Sequence, residues 1–370
     1  MIPAPDSIKK VASPDAFSQK RVAAAKLTQR KAVFERPDYQ RQHGCDRPNL
    51  QNPRQDIDLN TLILSHRDCL DHDMGPGHPE RPDRVRVIER ILEHERFQTL
   101  VREAAPRGTT EQILRVHPES HLRHLEEAVP HQGLAHLDGD TSLSPGTMEA
   151  ALRSVGGACL AVDEVITRKV DNAFVATRPP GHHAETATAM GFCFFNNAAI
   201  AARHARAVHG VERVAIMDFD VHHGNGTQDI FWNDPHVLYA STHEMPLFPG
   251  TGALNETGEH NNICNAPLSA GDDGVHFKQA MNTRILPAIE AFSPDLIIIS
   301  AGFDAHARDP LANINLVESD FAWATGKLMD LAEKKSGGRI LSLLEGGYDL
   351  EGLSRSVAAH VMMLSGMAGR

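Results

Sequence analysis

The chain has 370 residues, 41% of them hydrophobic, and a formal net charge of −11. No run approaches the ~18 consecutive apolar residues of a membrane span, and the negative charge argues against sequence-independent nucleic-acid binding, which depends on neutralising phosphates. MIPAPDSIKK has no apolar signal stretch, so a cytoplasmic protein is expected. Cys45, Cys69, Cys159, Cys193 and Cys264 are scattered and form no CxxC pair. Neither a disulfide framework nor a cysteine-rich zinc knuckle is indicated, and any metal must be held by His, Asp or Glu.

Residues 1–60 read as a net-basic N-terminal arm with one amphipathic helix near Ala16 to Phe34, followed by the loop-like HGCDRPNLQNPRQD. The arm could wrap the domain, join the subunit interface of a homo-oligomer or stay disordered. From Thr61 onward, the short apolar runs TLILS, NAFVAT, RVAIM, HVLYAS, DLIIIS and RILSLL predict strands. Longer segments of helical period come between them: Met148 to Arg168, Asn196 to His209, Val275 to Phe292, Glu318 to Lys335 and Leu353 to Leu364. Strands apolar on both faces and separated by helices predict an α/β fold, a central parallel sheet with helices on both faces. Length alone leaves the domain count open.

A polar, mostly Gly-containing segment follows each of five predicted strands: RPPGHH, DFDVHHGNG, THEMPLFPGTG, AGFDAHARDP and EGGY. Ligands of open α/β sheets bind outside the carboxyl ends of strands, so these segments are expected to converge on one crevice.

Asp220 and His222 stand two apart at a strand end, where their side chains point the same way and can share a metal. Asp304, at another strand end, can complete a three-ligand site with an open fourth position, the pattern of a catalytic centre. Oxygen and nitrogen ligands without thiolate suit zinc, iron or cobalt. His182 and His183 sit at the mouth of the same sheet, where one imidazole can take a proton from water while the other is set by a carboxylate. Asp218 and Asn225 are expected partners for the two rings. Tyr348, one of three tyrosines, follows two glycines and can donate to an oxyanion. Each feature alone also reads as a helix cap, a loop or a core residue. Their coincidence at strand ends favours a site.

With RPPGHH, GFCFFNN, DFDVHHGNG, FPGTG, AGFDAHARDP and EGGY in this order, the chain from about Thr61 to the C-terminus resembles the histone deacetylase superfamily. Asn225 and the EGGY form look class II-like, near bacterial deacetylases and acetylpolyamine amidohydrolases. The resemblance implies the single-domain arginase/deacetylase fold, with 61–370 as the catalytic domain. It implies Asp220, His222 and Asp304 as zinc ligands, His183 as general base and acid, His182 as its electrostatic neighbour, and Tyr348 as oxyanion donor. Phe192 and Phe248 match the walls of an acyl-lysine channel. Asp218, Asp220 and His222 through backbone oxygens, with Ser241 and Thr242, match a structural potassium site, and carbonyls of Phe231, Asp234, Val237 and Asn262 match a second.

Leu311 falls where polyamine-specific relatives carry an acidic gate, and no rim aspartate is assigned in LDGDTSLSP. The activity implied is removal of acetyl groups from acetyl-lysine, with acetylpolyamines or small amides as alternative substrates. A non-catalytic acyl-binding protein of the same fold is a second hypothesis. Arginase-like chemistry on two manganese ions would need bridging carboxylates that His223 and Gly224 do not provide.

Overall fold

Each predicted strand carries a run of consecutive apolar residues without polar alternation, so its two faces must both be covered and its backbone polar groups must be paired within a sheet. The computed structural model describes residues 59–367. The helix expected at Ala16 to Phe34, and all but the last two residues of the expected arm, lie outside them.

The strands are β1 (Thr61–Ser65), β2 (Val101–Ala104), β3 (Ala135–His136), β4 (Ser142–Leu143), β5 (Asn172–Val175), β6 (Val214–Asp218), β7 (Val237–Glu244), β8 (Ile263–Leu268), β9 (Leu296–Ala301) and β10 (Ile340–Leu344). The helices are α1 (Asp83–Leu92), α2 (Thr110–Leu114), α3 (Glu119–Ala128), α4 (Thr147–Ile166), α5 (Asn197–His209), α6 (Asn225–Phe231), α7 (Gly274–Ala280), α8 (Leu286–Phe292), α9 (Glu318–Lys335) and α10 (Leu350–Leu364). β3 and β4 form a small antiparallel pair. The rest form one parallel sheet in the order β2-β1-β5-β10-β9-β6-β7-β8. The single-domain arginase/deacetylase architecture expected from the sequence is the one observed.

Side chains alternate across the sheet as a two-residue period requires. Val214 and Ile216 of β6 share a buried cluster with Val162 of α4 and Ala199 of α5. Ala215 and Met217 point the other way, into a cluster with Phe321 and Leu328 of α9 and Val357 of α10. Helices therefore cover both faces, and burial of this apolar area is the main stabilising term.

Both edge strands, β2 and β8, were absent from the predicted set. Val101–Ala104 is half-buried or exposed throughout and so carries no apolar signature. Ile263–Leu268 contains Pro267, which only an edge strand accommodates readily because proline cannot donate to a ladder. The predicted helix Val275 to Phe292 is α7 and α8 joined by a π turn over Met281–Ile285. α10 begins at Leu350, earlier than predicted, because Asp349 caps it by accepting from Gly352 N at 2.7 Å.

Candidate active site

Four adjacent central strands, β5, β10, β9 and β6, end at RPPGHH, EGGY, AGFD and DFDVHH. Segments separated by more than a hundred residues thus meet at one end of the sheet. Asp218 closes β6 between Ser300 of β9 and Ser241 of β7. Just beyond it, donor atoms of Asp220, His222 and Asp304 all lie within 4.8 Å of one another, and all three residues are buried.

Backbone amides aim the two carboxylates. Asp304 Oδ1 accepts from Val221 N at 2.8 Å, and Asp220 Oδ2 accepts from Gly346 N at 2.8 Å. A Cβ on Gly346 would stand 2.1 Å from Asp304 Oδ2, so the close approach of this turn demands glycine. His222 Nδ1 lies 3.1 Å from Asp220 Oδ1 and 3.2 Å from Asp304 Oδ2. Burial and the neighbouring Asp220 charge push the Asp304 carboxyl up to about 7. Two buried carboxylates and one imidazole, without thiolate, form a donor set that a small divalent cation fits and whose repulsion it would relieve.

The paired histidines rest on different acceptors. His182 Nδ1 is 3.0 Å from Asp218 Oδ2, whereas His183 Nδ1 is 2.8 Å from the amide oxygen of Asn225. Burial alone would lower His182, but the Asp220 and Asp218 charges outweigh it and raise the ring to about 10. For His183, burial acts together with the cationic neighbours His182 and His222 and holds the ring well below 6.5. The two rings, 4.0 Å apart, are therefore driven in opposite directions, one cationic and one free to accept a proton. Burial raises the Tyr348 phenol well above 10, with Arg84 opposing in part, so its hydroxyl stays a donor.

Beneath Tyr348 lies a charged network that sequence reasoning missed. The buried Glu80 carboxylate is bound by Arg178 Nε at 2.6 Å, Arg84 Nη1 at 3.2 Å and His72 Nε2 at 3.2 Å. Arg84 also donates to the carbonyls of Gly347 at 2.7 Å and Glu345 at 2.5 Å, and its guanidinium lies 4.9 Å from the Tyr348 ring centre. This fully desolvated cluster ties HPERPDR and Arg178 of RPPGHH to the EGGY turn. The available signal was three charged residues, Glu80, Arg84 and Arg178, in the proline-containing motifs HPERPDR and RPPGHH. Glu345 was likewise unassigned; it accepts from Gly181 N at 2.7 Å, His182 N at 3.1 Å and Ser300 Oγ at 3.0 Å.

Above the acidic cluster opens a channel of about 240 Å3 lined by His183, His222, Phe192, Phe248, Leu311 and Tyr348, with Asp140 and Leu247 also on its walls. Phe192 has φ 68°, an unusual conformation for a bulky residue. Its amide is held by Thr141 Oγ1 at 3.1 Å, and its ring stands edge-on to His78 and Tyr348, with centres 4.7 and 5.9 Å away. The Phe248 ring packs edge-on against His183 at 5.1 Å. Leu311 lines the channel. Asp309 does not line it: its carboxylate accepts from Leu311 N at 3.0 Å, Tyr348 N at 2.7 Å and Asp349 N at 3.3 Å. Asp140, in the LDGDTSLSP segment, lines the channel instead.

The expected potassium residues separate into two cases. Asp218, Asp220, His222, Ser241 and Thr242 are buried at the adjoining ends of β6 and β7. At the second place, Asn262 Nδ2 donates to the carbonyls of Phe231 at 2.7 Å, Asp234 at 3.1 Å and Val237 at 3.1 Å. Those three oxygens thus accept from one side chain of the chain.

Among the described residues, Asp163, His204 and His209 form another cluster with metal-ligand chemistry. Here Arg115 Nη1, which can only donate, lies 2.7 Å from His204 Nδ1. The proton of a neutral His204 is therefore on Nε2, directed at Asp163 Oδ1 2.8 Å away. That leaves His204 no lone pair for a metal, and its contact with Asp163 is a hydrogen-bonded clasp between α4 and α5.

Residues 78–364 match the histone deacetylase domain family. The chain is 41% identical to a histone deacetylase-like amidohydrolase of Pseudomonas aeruginosa over 74% of this chain and 73% of that one. It is 39% identical to a probable deacetylase of Archaeoglobus fulgidus over 79% of this chain and 82% of the relative. The crystal structure of the HDA15 HD domain matches with a TM-score of 0.79 at 36% identity, covering 84% of this chain and 90% of that one. Sequence and fold agree over most of the chain, which belongs to the histone deacetylase family of hydrolases.

Proposed function

We propose that the protein is a zinc-dependent deacetylase of acetyl-lysine side chains or related acylated amines, with 61–370 as its catalytic domain and 1–60 as an arm. One observation carries this reading: the Asp220, His222 and Asp304 cluster lies at the floor of a narrow channel that His183 and Tyr348 also line. Those three residues would hold the zinc, which when bound polarises the acyl carbonyl and lowers the pKa of the attacking water. His183 takes the proton of that water and later returns it to the leaving amine. His182, kept cationic against Asp218, stabilises the negative charge that develops. Tyr348 donates its hydroxyl to the carbonyl oxygen, with Arg84 holding its turn in place. Potassium beside Asp218, Asp220, His222, Ser241 and Thr242 would brace the loop bearing Asp220 and His222. The buried, unpaired thiols of Cys69, Cys159, Cys193 and Cys264 suit the reducing cytoplasm.

Phe192, Phe248 and Leu311 give the channel apolar walls suited to an uncharged methylene stem. An acetylpolyamine would bring a secondary ammonium against Leu311, where desolvation needs a carboxylate. Asp309 supplies none, because backbone amides occupy it. Asp140 favours the polyamine as a second reading, since its carboxylate could meet a distal ammonium.

The test is a panel of acetyl-lysine peptide, acetylputrescine, acetylspermidine and a small anilide, with metal analysis of the same enzyme and a hydroxamate titration. Acetyl-lysine turnover, one zinc per chain and strong hydroxamate inhibition are expected. A preference for acetylspermidine would put the second reading first, and indifference to millimolar hydroxamate would refute the zinc site.

A further inference from the structure

His182 faces a carboxylate and His183 faces an amide. A carboxylate accepts through either oxygen and cannot be the wrong way round. An amide can. Rotated by 180°, Asn225 would set its NH2 against His183 Nδ1 and force the ring proton onto Nε2, the nitrogen that must be free to accept a proton. An asparagine here therefore requires something to fix its orientation.

We propose that Glu185 is a positioning residue that locks the Asn225 amide and thereby selects the Nδ1-protonated tautomer of His183. The inference rests on the reading of His183 as the base. Asn225 Nδ2 donates to Glu185 Oε1 at 2.8 Å and to Met190 Sδ at 3.4 Å. Both partners are acceptors, so the rotated amide would place its oxygen against a carboxylate oxygen and a sulfur with no donor for it. The amide oxygen is left for His183, 2.8 Å away, whose Nδ1 must then carry the hydrogen.

Glu185 is itself held in place. Its backbone N donates to Thr188 O at 2.9 Å. The next residue, Thr186, bonds through N at 3.1 Å and Oγ1 at 2.8 Å to Asp229 Oδ2 on α6, the helix that Asn225 begins. His183, Asn225 and Glu185 thus form a linear relay, with an acid acting one group away from the ring.

The experiment uses the zinc-loaded full chain. Glu185→Ala is expected to lower kcat on an acetyl-lysine peptide about 10- to 100-fold, a fraction of the ~10⁴-fold loss when a catalytic histidine is wholly in the wrong tautomer. KM and zinc content should stay unchanged. Glu185→Gln keeps an acceptor oxygen and should lose less. In an Asn225→Asp background the orientation problem disappears, so adding Glu185→Ala should cost nothing or restore activity by removing like-charge repulsion. Equal losses in both backgrounds would overturn the lock. In ¹⁵N-histidine spectra, assigned with a His183 variant, the wild-type ring should be protonated at Nδ1 and Glu185→Ala should give a tautomer mixture. An unchanged ring spectrum would also overturn it. A wild type inactive on every acetylated amine would defeat the functional reading alone, since the spectrum still reports on Glu185.

Discussion

The floor of the channel and its mouth are built in different ways. The floor hangs from the ends of four neighbouring strands, and its side chains are buried and fixed by partners: Asp220 by Gly346 N, Asp304 by Val221 N, His182 by Asp218. The mouth is made of loops, with Phe248 40% exposed and Asp140 open to solvent. Rigid, desolvated strand ends can hold charge in place at little reorganisation cost, which chemistry needs. Loops can vary without disturbing that frame, which specificity needs. Floor variants should therefore change turnover by orders of magnitude, and mouth variants should change preference among substrates.

The largest effect is expected for Asp304→Ala. It removes one of three clustered donors, so zinc content and activity should be lost together while the far-ultraviolet circular dichroism is retained. Full zinc occupancy in this variant would show that Asp304 is not a ligand. Next comes Tyr348→Phe, which should reduce kcat about 100- to 1,000-fold, the range for one oxyanion donor, with zinc retained and KM little changed. Near-normal kcat would make the tyrosine part of the frame instead.

Acid tests the frame itself. Burial lowers His117 to about 4 and His360 to about 3, so both rings are neutral in the fold while the unfolded chain protonates near 6.5. Their stabilisation is complete above about pH 6.5 and is lost as pH falls toward those lower values, by about 1.4 kcal/mol per pH unit for each ring. Urea midpoints should fall steeply between pH 6.5 and 4.5, and His360→Gln should flatten the slope. An unaltered slope would remove His360 from this account. The smallest effect is at the mouth: Leu311→Glu should raise kcat/KM for acetylspermidine relative to acetyl-lysine by about tenfold, one well-placed charge being worth roughly 1.4 kcal/mol. No change in that ratio would mean that Leu311 does not gate.

Much of this was legible in the chain. The apolar runs and helical periods give the central strands, and the polar segments after them name Asp220, His222, Asp304, His182, His183 and Tyr348. Edge strands β2 and β8 escaped because an edge needs neither a fully apolar run nor every backbone donor. That the Asn262 side chain donates to the carbonyls of Phe231, Asp234 and Val237 was not legible either, because side-chain direction is set only in the fold.

What the sequence determined by itself is the kind of chemistry, since residue types at strand ends limit which groups can meet in the crevice. Only the tertiary structure decided how those groups are held: Arg84 under Tyr348, Glu80 between two guanidiniums, Asp309 turned into the backbone, and Glu185 behind Asn225. These contacts join residues distant in the chain or depend on which atom of a side chain faces which neighbour. A linear sequence carries neither, because hydrogen-bond direction and burial exist only once the strands have brought the loops together.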